Sequence, residues 1–259
     1  MTYKILTFYL TKDTINQKCY ESVMGQKGVE QDIIVVSARR IEIANNFVVK
    51  VPQEYPLPVR VGVSINRALA AYWNDKKYNY FFKVDNDVSL PSTYLLDLIS
   101  KGNPIIGPGN AMLAEANFFK KYFGNRWAIT YCDDEYMKAC AFAQGLIDQV
   151  WEKGLNFDSE YRPSLLRGYG YGKEYYKFGV PFWFIFVRVM ASIKNYLKHR
   201  PDRIPITIEF YTIGGHISAF GTKKYEWHHN FAKRWTLLYL QKFRSKLNRA
   251  LGKYGENPC

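Results

Sequence analysis

The sequence FFKVDNDVSLPSTYLLDLI, residues 81–99, joins an apolar run, an acidic turn and a helical pattern. The apolar residues 80–84 predict a buried strand, and the spacing of residues 91–100 predicts a helix. Asp85 and Asp87 follow the strand directly, so both carboxylates lie at its carboxyl end. Ligands of α/β sheets bind at this edge. The stretch therefore predicts an α/β fold with a functional site at Asp85 and Asp87.

The residues before this stretch alternate between strand and helix patterns. Continuous apolar runs predict strands at residues 3–10, 32–37 and 47–51, and helical spacing predicts helices at residues 16–26 and 62–73. Strands without polar alternation are typical of parallel sheets that are covered on both faces. The pattern predicts a Rossmann-like fold, with a mostly parallel central sheet flanked by helices.

Composition and charge divide the chain into two parts. Of the 259 residues, 47% are hydrophobic and 17% aromatic, which excludes a disordered protein. Residues 1–159 carry 18 Lys and Arg against 17 Asp and Glu, whereas residues 160–259 carry 18 against 6, a net charge of +12. We expect an α/β domain in the first part and a basic, aromatic-rich, largely helical extension in the second.

The basic extension mixes charged and apolar segments. Its sequence GYGYGKEYY, residues 168–176, predicts a flexible turn or loop because it holds three glycines. The apolar residues 180–193 are too few to span a bilayer comfortably. Apolar and basic residues interleaved in this way predict peripheral attachment to an anionic membrane surface. The alternative is a pair of core helices with solvated basic faces.

Cysteine usage and the N-terminus indicate a compartment. Four cysteines are scattered along the chain without a C-x-x-C pair. This spacing argues against a disulfide scaffold and a structural zinc site, and it favours a reducing compartment. The first residues lack the basic segment and the cleavage site that are typical of a secretory signal. We therefore expect a cytoplasmic protein. If the basic extension binds lipid, we expect peripheral attachment to the cytoplasmic face of a membrane.

The acidic turn suits a divalent cation. Two carboxylates spaced i and i+2 at a strand end, Asp85 and Asp87, can share a cation that also binds a diphosphate. Hard oxygen ligands favour Mn²⁺ or Mg²⁺, which would neutralise charge on a leaving nucleotide diphosphate. The alternative is an Asx-rich turn that caps the following helix through Ser89 or Ser92.

The order of the segments resembles glycosyltransferase family 2, whose members are nucleotide-sugar enzymes with the GT-A fold. Residues 19–26 (CYESVMGQ), 33–37 (IIVVS) and 62–69 (GVSINRAL) resemble the family's first helix, second strand and G-x-S-x-A-R-N-x-G helix. FFKVDNDVSLP resembles its metal-binding D-x-D strand, and the matches cover about residues 3–155. The resemblance implies transfer of a single sugar from a nucleoside diphosphate sugar, with inversion and dependence on Mn²⁺ or Mg²⁺. The acceptor, a lipid, glycan or protein, stays open.

The resemblance also implies the catalytic residues. Residues 132–145, CDDEYMKACAFAQG, are similar to the family motif E-D-x-x-L-x-x-R-x-x-x-x-G, with Asp133 at the Glu position and Asp134 at the Asp position. The latter supplies the general base in inverting members, because an acceptor hydroxyl must lose its proton as it attacks. Which of the two faces the acceptor stays open. The alternative is an acidic first helical turn that complements the helix dipole.

Further residues are implied for the donor side. The resemblance assigns the direct metal contact to Asp87 and the ribose and metal shell to Asp85. It assigns the nucleotide pocket to Thr7, Tyr9 and Ser37, and a phosphate contact to Arg67, for which a solvated helix face is the alternative. Ser37 stands where the family has Asp, which leaves the base preference open. A third metal ligand from His228 or His229 is a further possibility. Residues 231–235, FAKRW, lack the Gln of the motif Q-x-x-R-W of processive enzymes, so we expect a single transfer.

Two other functions stay open. The basic, tyrosine-rich extension also fits a nucleic-acid-binding protein, since aromatic side chains can stack on bases. Against this, its charge is interleaved with long apolar runs and no nucleic-acid motif occurs. The missing Asp of the second strand also allows a non-catalytic binding module with the GT-A fold.

Overall fold

The computed structural model describes residues 2–150, 165–199 and 206–250. These residues contain a six-stranded sheet with the strand order β3-β2-β1-β4-β6-β5. The strands are β1 (Tyr3–Thr11), β2 (Val29–Ser37), β3 (Asn46–Val48), β4 (Tyr80–Asp85), β5 (Ile105–Ile106) and β6 (Ala111–Glu115).

The sheet is mixed. β1 pairs in parallel with β2 and β4, and β2 pairs in parallel with β3. β6 pairs antiparallel with both β4 and β5. The short connection from β5 to β6 permits only a hairpin, which explains the antiparallel pairing of these two strands. Gly107 begins that turn at φ +100, a conformation that favours glycine. The predicted α/β class is confirmed, and four strands form a parallel, Rossmann-like arrangement.

Helices flank the sheet and continue beyond it. They are α1 (Gln17–Met24), α2 (Leu57–Tyr72), α3 (Tyr94–Ser100), α4 (Ala116–Phe123), α5 (Asp133–Ala143), α6 (Leu165–Phe178), α7 (Phe182–His199), α8 (Ile206–Ser218) and α9 (His228–Ala250). α1 begins after Asn16, whose side chain accepts a hydrogen bond from the Cys19 amide. α2 begins five residues before the predicted start, because Pro58 suits a first helical turn.

Both faces of the sheet are buried, as the continuous apolar runs predict. On β1, Leu6 and Phe8 pack on one face, while Ile5 and Tyr9 pack on the other against α1 and α3. The first face belongs to a cluster that extends through α5 into the C-terminal helices, where it includes Phe231 of α9. One hydrophobic core therefore joins the sheet to the basic extension. The predicted boundary between residues 159 and 160 lies outside the described residues.

The segment GYGYGKEYY forms part of α6, so its prediction as a turn or loop is wrong. Two of its three glycines, Gly168 and Gly172, face α8: a Cβ at Gly172 would lie 2.0 Å from the Thr212 carbonyl oxygen. On α8, a Cβ at Gly215 would lie 2.0 Å from the Tyr169 carbonyl oxygen. The glycines therefore permit a close helix crossing, and packing against α8 outweighs their low helix propensity.

This crossing predicts a large difference between two Gly→Ala substitutions. Gly172→Ala should lower the free energy of unfolding by about 1–3 kcal/mol, because the new methyl group overlaps backbone of α8. Gly214→Ala is the matched control, since its Cβ would meet nothing within 4 Å. That variant should be neutral or stabilised by up to about 1 kcal/mol. Urea denaturation measures both, and equal effects would contradict the close crossing.

Candidate functional site

The topology places the candidate site at the carboxyl ends of β1 and β4. From β1 the sheet continues to β2 and β3 on one side and to β4 on the other. In such sheets ligands bind at the carboxyl ends of the two strands where the strand order reverses. Here the Asn86 amide donates a 3.0 Å hydrogen bond to the Leu10 carbonyl and ties these two ends together. Asp85 and Asp87 therefore lie at the edge that the sequence predicts.

A pocket of about 700 Å³ opens at this edge. Its volume is in the range of small-molecule and cofactor sites. The ends of β1, β2 and β4 and the beginning of α2 form its walls, and its lining includes Asp85, Asn86 and Asp87. The lining also includes four basic residues: Lys12, Arg39, Lys50 and Arg60. The pocket thus offers cations for an anionic ligand beside carboxylates for a metal ion.

Asp85 is held by a buried lysine that the sequence interpretation missed. The Lys83 ammonium lies 2.9 Å from Asp85 Oδ1 and 3.0 Å from Asp85 Oδ2, and it also donates to the Gly109 carbonyl. Burial alone would lower the pKa of Lys83, but the charges of Asp85 and Asp133 raise it above its usual value. Lys83 therefore stays charged and holds both oxygens of Asp85. Its position two residues before Asp85, on the same strand face, was the available signal.

Asp87 has an unsatisfied oxygen. Its Oδ1 is inaccessible to solvent and has no hydrogen-bond partner among the described residues. A buried carboxylate oxygen without a partner is costly, and a bound cation would satisfy it. This donor fits Mn²⁺ or Mg²⁺, which take oxygen ligands and often use one or two carboxylates plus water and ligand phosphate.

A cation at Asp87 would have few protein ligands. In the described ranges, no three His, Cys, Asp or Glu side chains cluster as metal ligands would. The predicted third ligand from a histidine is not brought to Asp87: His228 Nδ1 lies 2.7 Å from the Tyr225 carbonyl, and a Cβ at Gly179 would touch His228. The arrangement leaves Asp87 as the carboxylate that is available to a cation.

Two predicted pocket residues, Thr7 and Tyr9, lie within the sheet, and only Tyr9 contacts a residue that lines the pocket. The Tyr9 hydroxyl donates a 2.7 Å hydrogen bond to Asn86 Oδ1, which also accepts from the Asn16 amide. Burial raises the pKa of Tyr9, so its phenol remains a donor. Thr7 is buried and donates to Gln31 Oε1 at 2.8 Å. Neither lines the pocket; the residues of β1 and its end that line it are Leu10, Thr11 and Lys12.

Ser37 and Arg67 have different surroundings. Ser37 lines the pocket at the end of β2, where its hydroxyl accepts a 2.8 Å hydrogen bond from Asn46. Arg67 is exposed outside the lining and donates to the Lys50 carbonyl at 2.9 Å. Arg60, seven residues earlier on α2, faces the pocket instead, and its Nε is buried without a partner among the described residues. It was missed because the helix was predicted to begin only at residue 62.

The predicted catalytic carboxylates lie in the first turn of α5, close to Lys83. The Trp127 indole donates a 2.6 Å hydrogen bond to Asp133 Oδ2. Asp134 packs against Gly109, where a Cβ would lie 2.2 Å from Asp134 Oδ2, and makes no hydrogen bond to a described residue. Burial raises the pKa of Asp85, and the charges of Asp87 and Asp134 add to this increase. The fold therefore brings Asp85, Asp133 and Asp134 together near the Lys83 ammonium. Of the two α5 carboxylates, only Asp133 makes a hydrogen bond to a described residue.

The pKa of Asp133 leads to a testable pH dependence. Burial, followed by the charge of Asp134, raises this pKa from 3.8 to about 6. Between these values the folded state binds more protons than the unfolded state, so the free energy of unfolding falls as pH rises. Asp133→Asn should therefore stabilise the protein at pH 7 by on the order of 1–3 kcal/mol, and by much less at pH 4. Urea titrations at both pH values test this, and an equal effect at both would contradict it.

Comparison with known proteins does not assign a family. No protein-family model matches this chain, and no curated protein matches it.

Proposed function

We propose that this protein is a metal-dependent glycosyltransferase that moves one sugar from a nucleoside diphosphate sugar to an acceptor hydroxyl. One observation carries the proposal: the pocket at the carboxyl ends of β1, β2 and β4 combines four basic side chains with the unsatisfied carboxylate oxygen of Asp87. A diphosphate with a divalent cation complements both features. The sheet, with its parallel half and antiparallel β6, is compatible with the GT-A fold that the motifs suggest.

On the donor side, each charge has a role. Lys12, Arg39, Lys50 and Arg60 would bind the diphosphate, and Asp87 would hold Mn²⁺ or Mg²⁺. A cation bound there supplies charge neutralisation for the leaving diphosphate. Asp85, fixed by Lys83, would orient toward the ribose and the hydration shell of the metal. Ser37 would lie near the base, where a hydroxyl replaces the carboxylate that is typical of family 2.

On the acceptor side, Asp134 would act as the general base. The acceptor oxygen forms a bond to the anomeric carbon while the bond from that carbon to the diphosphate breaks. The hydroxyl proton passes to Asp134, and the sugar is transferred with inversion in one displacement. Asp134 suits this task better than Asp133, whose Oδ2 is already bonded to Trp127. Asp133 would instead help to position the first turn of α5.

A second candidate function is a non-catalytic nucleotide-sugar-binding module. Both oxygens of Asp85 are engaged by Lys83, which reduces the number of carboxylates that are available to a metal ion. Such a module would bind the donor but neither hydrolyse nor transfer the sugar. Activity, rather than binding, distinguishes the two candidates.

A donor screen tests the proposal. The melting temperature is measured with a panel of nucleoside diphosphate sugars, with Mn²⁺ and with EDTA, because a ligand that binds only the folded state stabilises it. We expect one donor to raise the melting temperature only with Mn²⁺, and this donor to be hydrolysed slowly without acceptor. If no donor raises it, the proposal is wrong. Stabilisation without hydrolysis or transfer to any acceptor class, whether lipid, glycan or protein, favours the binding module.

A further inference from the structure

The C-terminal helices expose large apolar side chains. On α7, Phe186 and Met190 are 54% and 50% exposed; on α9, Leu240 and Phe243 are 59% and 66% exposed. Just after α8, Phe220 is 60% exposed. An extended apolar surface of this kind marks a site that contacts another molecule or a membrane.

Ring contacts connect the three helices at this surface. On one side, Phe182 of α7 lies 5.7 Å from His216 of α8, which in turn lies 5.9 Å from Phe220. On the other side, Trp183 of α7 lies 5.9 Å from Tyr239 of α9. The exposed stripe of α7 therefore lies between those of α8 and α9, and we call the combined surface the α7–α9 face.

The first part of α7 is apolar on its exposed face as well as on its buried face, where Ile185 and Val189 pack in the core. Arg188, the charged residue of this first part, turns inward, where Nε lies 3.1 Å from Glu209 Oε2 and a terminal nitrogen donates to the Tyr175 hydroxyl at 2.9 Å. Phe186 and Met190, two residues to either side of Arg188, point outward. A helix in water normally presents its charged residues to solvent and its apolar residues to the core. The exposed apolar face beside an arginine that turns inward indicates that this part of α7 meets an apolar environment.

Positive charge surrounds the apolar surface. Lys194 of α7, Lys223 after α8, and Lys233, Lys242 and Arg244 of α9 are exposed, and none forms an ion pair with a described carboxylate. Residues 160–259 as a whole carry a net charge of +12. An anionic partner complements this charge, whereas a second copy of the chain would bring the same sign to the interface.

We propose that the α7–α9 face docks on an anionic lipid bilayer. The exposed apolar side chains would enter the boundary between headgroups and acyl chains, and the surrounding Lys and Arg would contact anionic headgroups. Docking is peripheral in this proposal, and no helix in the described ranges is long and apolar enough to cross a membrane. Nucleic acid fits less well, because the aliphatic side chains of Met190 and Leu240 offer bases nothing on which to stack.

Vesicle binding by the full chain tests the proposal without reference to sugar transfer. We expect co-sedimentation with vesicles of phosphatidylcholine and phosphatidylserine at low salt, and little with phosphatidylcholine alone. High salt should release part of the bound protein, because it screens headgroup attraction but not apolar insertion. Trp183, 45% exposed, should contribute a blue shift of tryptophan fluorescence on binding.

Matched variants separate the contribution of apolar insertion to vesicle binding from that of electrostatic attraction. Phe186→Ser with Met190→Ser should weaken binding at least tenfold, whereas Met24→Ser with Leu96→Ser, which removes exposed apolar side chains elsewhere, should leave it unchanged. Lys242→Glu with Arg244→Glu should also weaken binding at least tenfold, since each basic residue near the surface contributes about 1 kcal/mol. The control is Lys76→Glu with Lys101→Glu, two exposed lysines outside the face.

Three results would overturn the proposal. The first is no binding to anionic vesicles at low salt. The second is vesicle binding that the face variants and their controls weaken equally. The third is a protein that does not bind vesicles but elutes as a dimer in size-exclusion chromatography, and as a monomer once Phe186→Ser and Met190→Ser are introduced. That result would assign the α7–α9 face to contact with a second copy of the chain. In a protein that does not bind vesicles, which is the first of these results, the Phe186→Ser with Met190→Ser variant can also be tested for RNA binding. If it still binds RNA, the basic residues of this face serve nucleic-acid binding.

Discussion

Asp87→Ala is expected to abolish sugar transfer and Mn²⁺-dependent nucleotide binding while the protein stays folded. Asp87 lines the pocket, and its Oδ1 has no hydrogen-bond partner among the described residues, so the carboxylate contributes little to the native fold. Removing an unsatisfied buried oxygen should leave the free energy of unfolding within about 0.5 kcal/mol or raise it. Isothermal titration calorimetry with and without Mn²⁺ measures binding, and urea denaturation measures stability.

The matched control for Asp87→Ala is Asp148→Ala. Asp148 is fully exposed and 3.9 Å from Arg234, so its loss removes the same charge at a distance from the pocket. This variant should bind nucleotide and transfer sugar as the wild type does. Unchanged Mn²⁺-dependent binding in Asp87→Ala would show that the metal assignment is wrong. A general loss of binding in both variants would point instead to the net charge of the protein.

Asp134→Asn is expected to lower kcat by about a hundredfold or more, the usual effect of losing a general base. The amide has nearly the same shape, so it should keep the packing of this side chain against Gly109. It cannot accept the proton of the acceptor hydroxyl. Donor affinity should therefore survive, and calorimetry beside initial-rate kinetics separates the two quantities.

Asp133→Asn is the matched comparison for Asp134→Asn. Its Oδ2 accepts the hydrogen bond from the Trp127 indole, and an Asn oxygen can accept the same bond. We expect a smaller loss of kcat here than in Asp134→Asn. The reverse order would assign the base to Asp133. An equal loss of donor affinity and rate in Asp134→Asn would place that residue in the donor site.

The sequence alone determined the class of the fold and the edge that carries the candidate site. The apolar run before Asp85 predicted a buried strand, and β4 ends at that residue. Two carboxylates directly after a parallel strand then lie at its carboxyl end, which follows from chain direction alone. Both inferences are local. The spacing of apolar residues distinguishes a strand from a helix, and the residues that follow a strand in the sequence lie at its carboxyl end.

Local sequence patterns gave wrong predictions where packing between distant segments determines the structure. The glycines of residues 168–176 predicted a turn, but the close approach of α8 placed them in a helix. The second helix was predicted to begin only at residue 62, although Pro58 suits the first turn of a helix, and Arg60 was missed with that turn. Arg67 lies on the same helix and faces outward, where it binds the Lys50 carbonyl.

The tertiary structure alone decided which charges meet. Lys83 binds Asp85 and the Gly109 carbonyl, while Asp134 packs on that same glycine. Residues 83, 109 and 134 lie far apart in the sequence, and no periodicity relates them. Their contact arises because the β5–β6 hairpin pairs with β4 and α5 packs nearby. Chain order determines which element a side chain belongs to, but the partner that it meets depends on how separate elements pack.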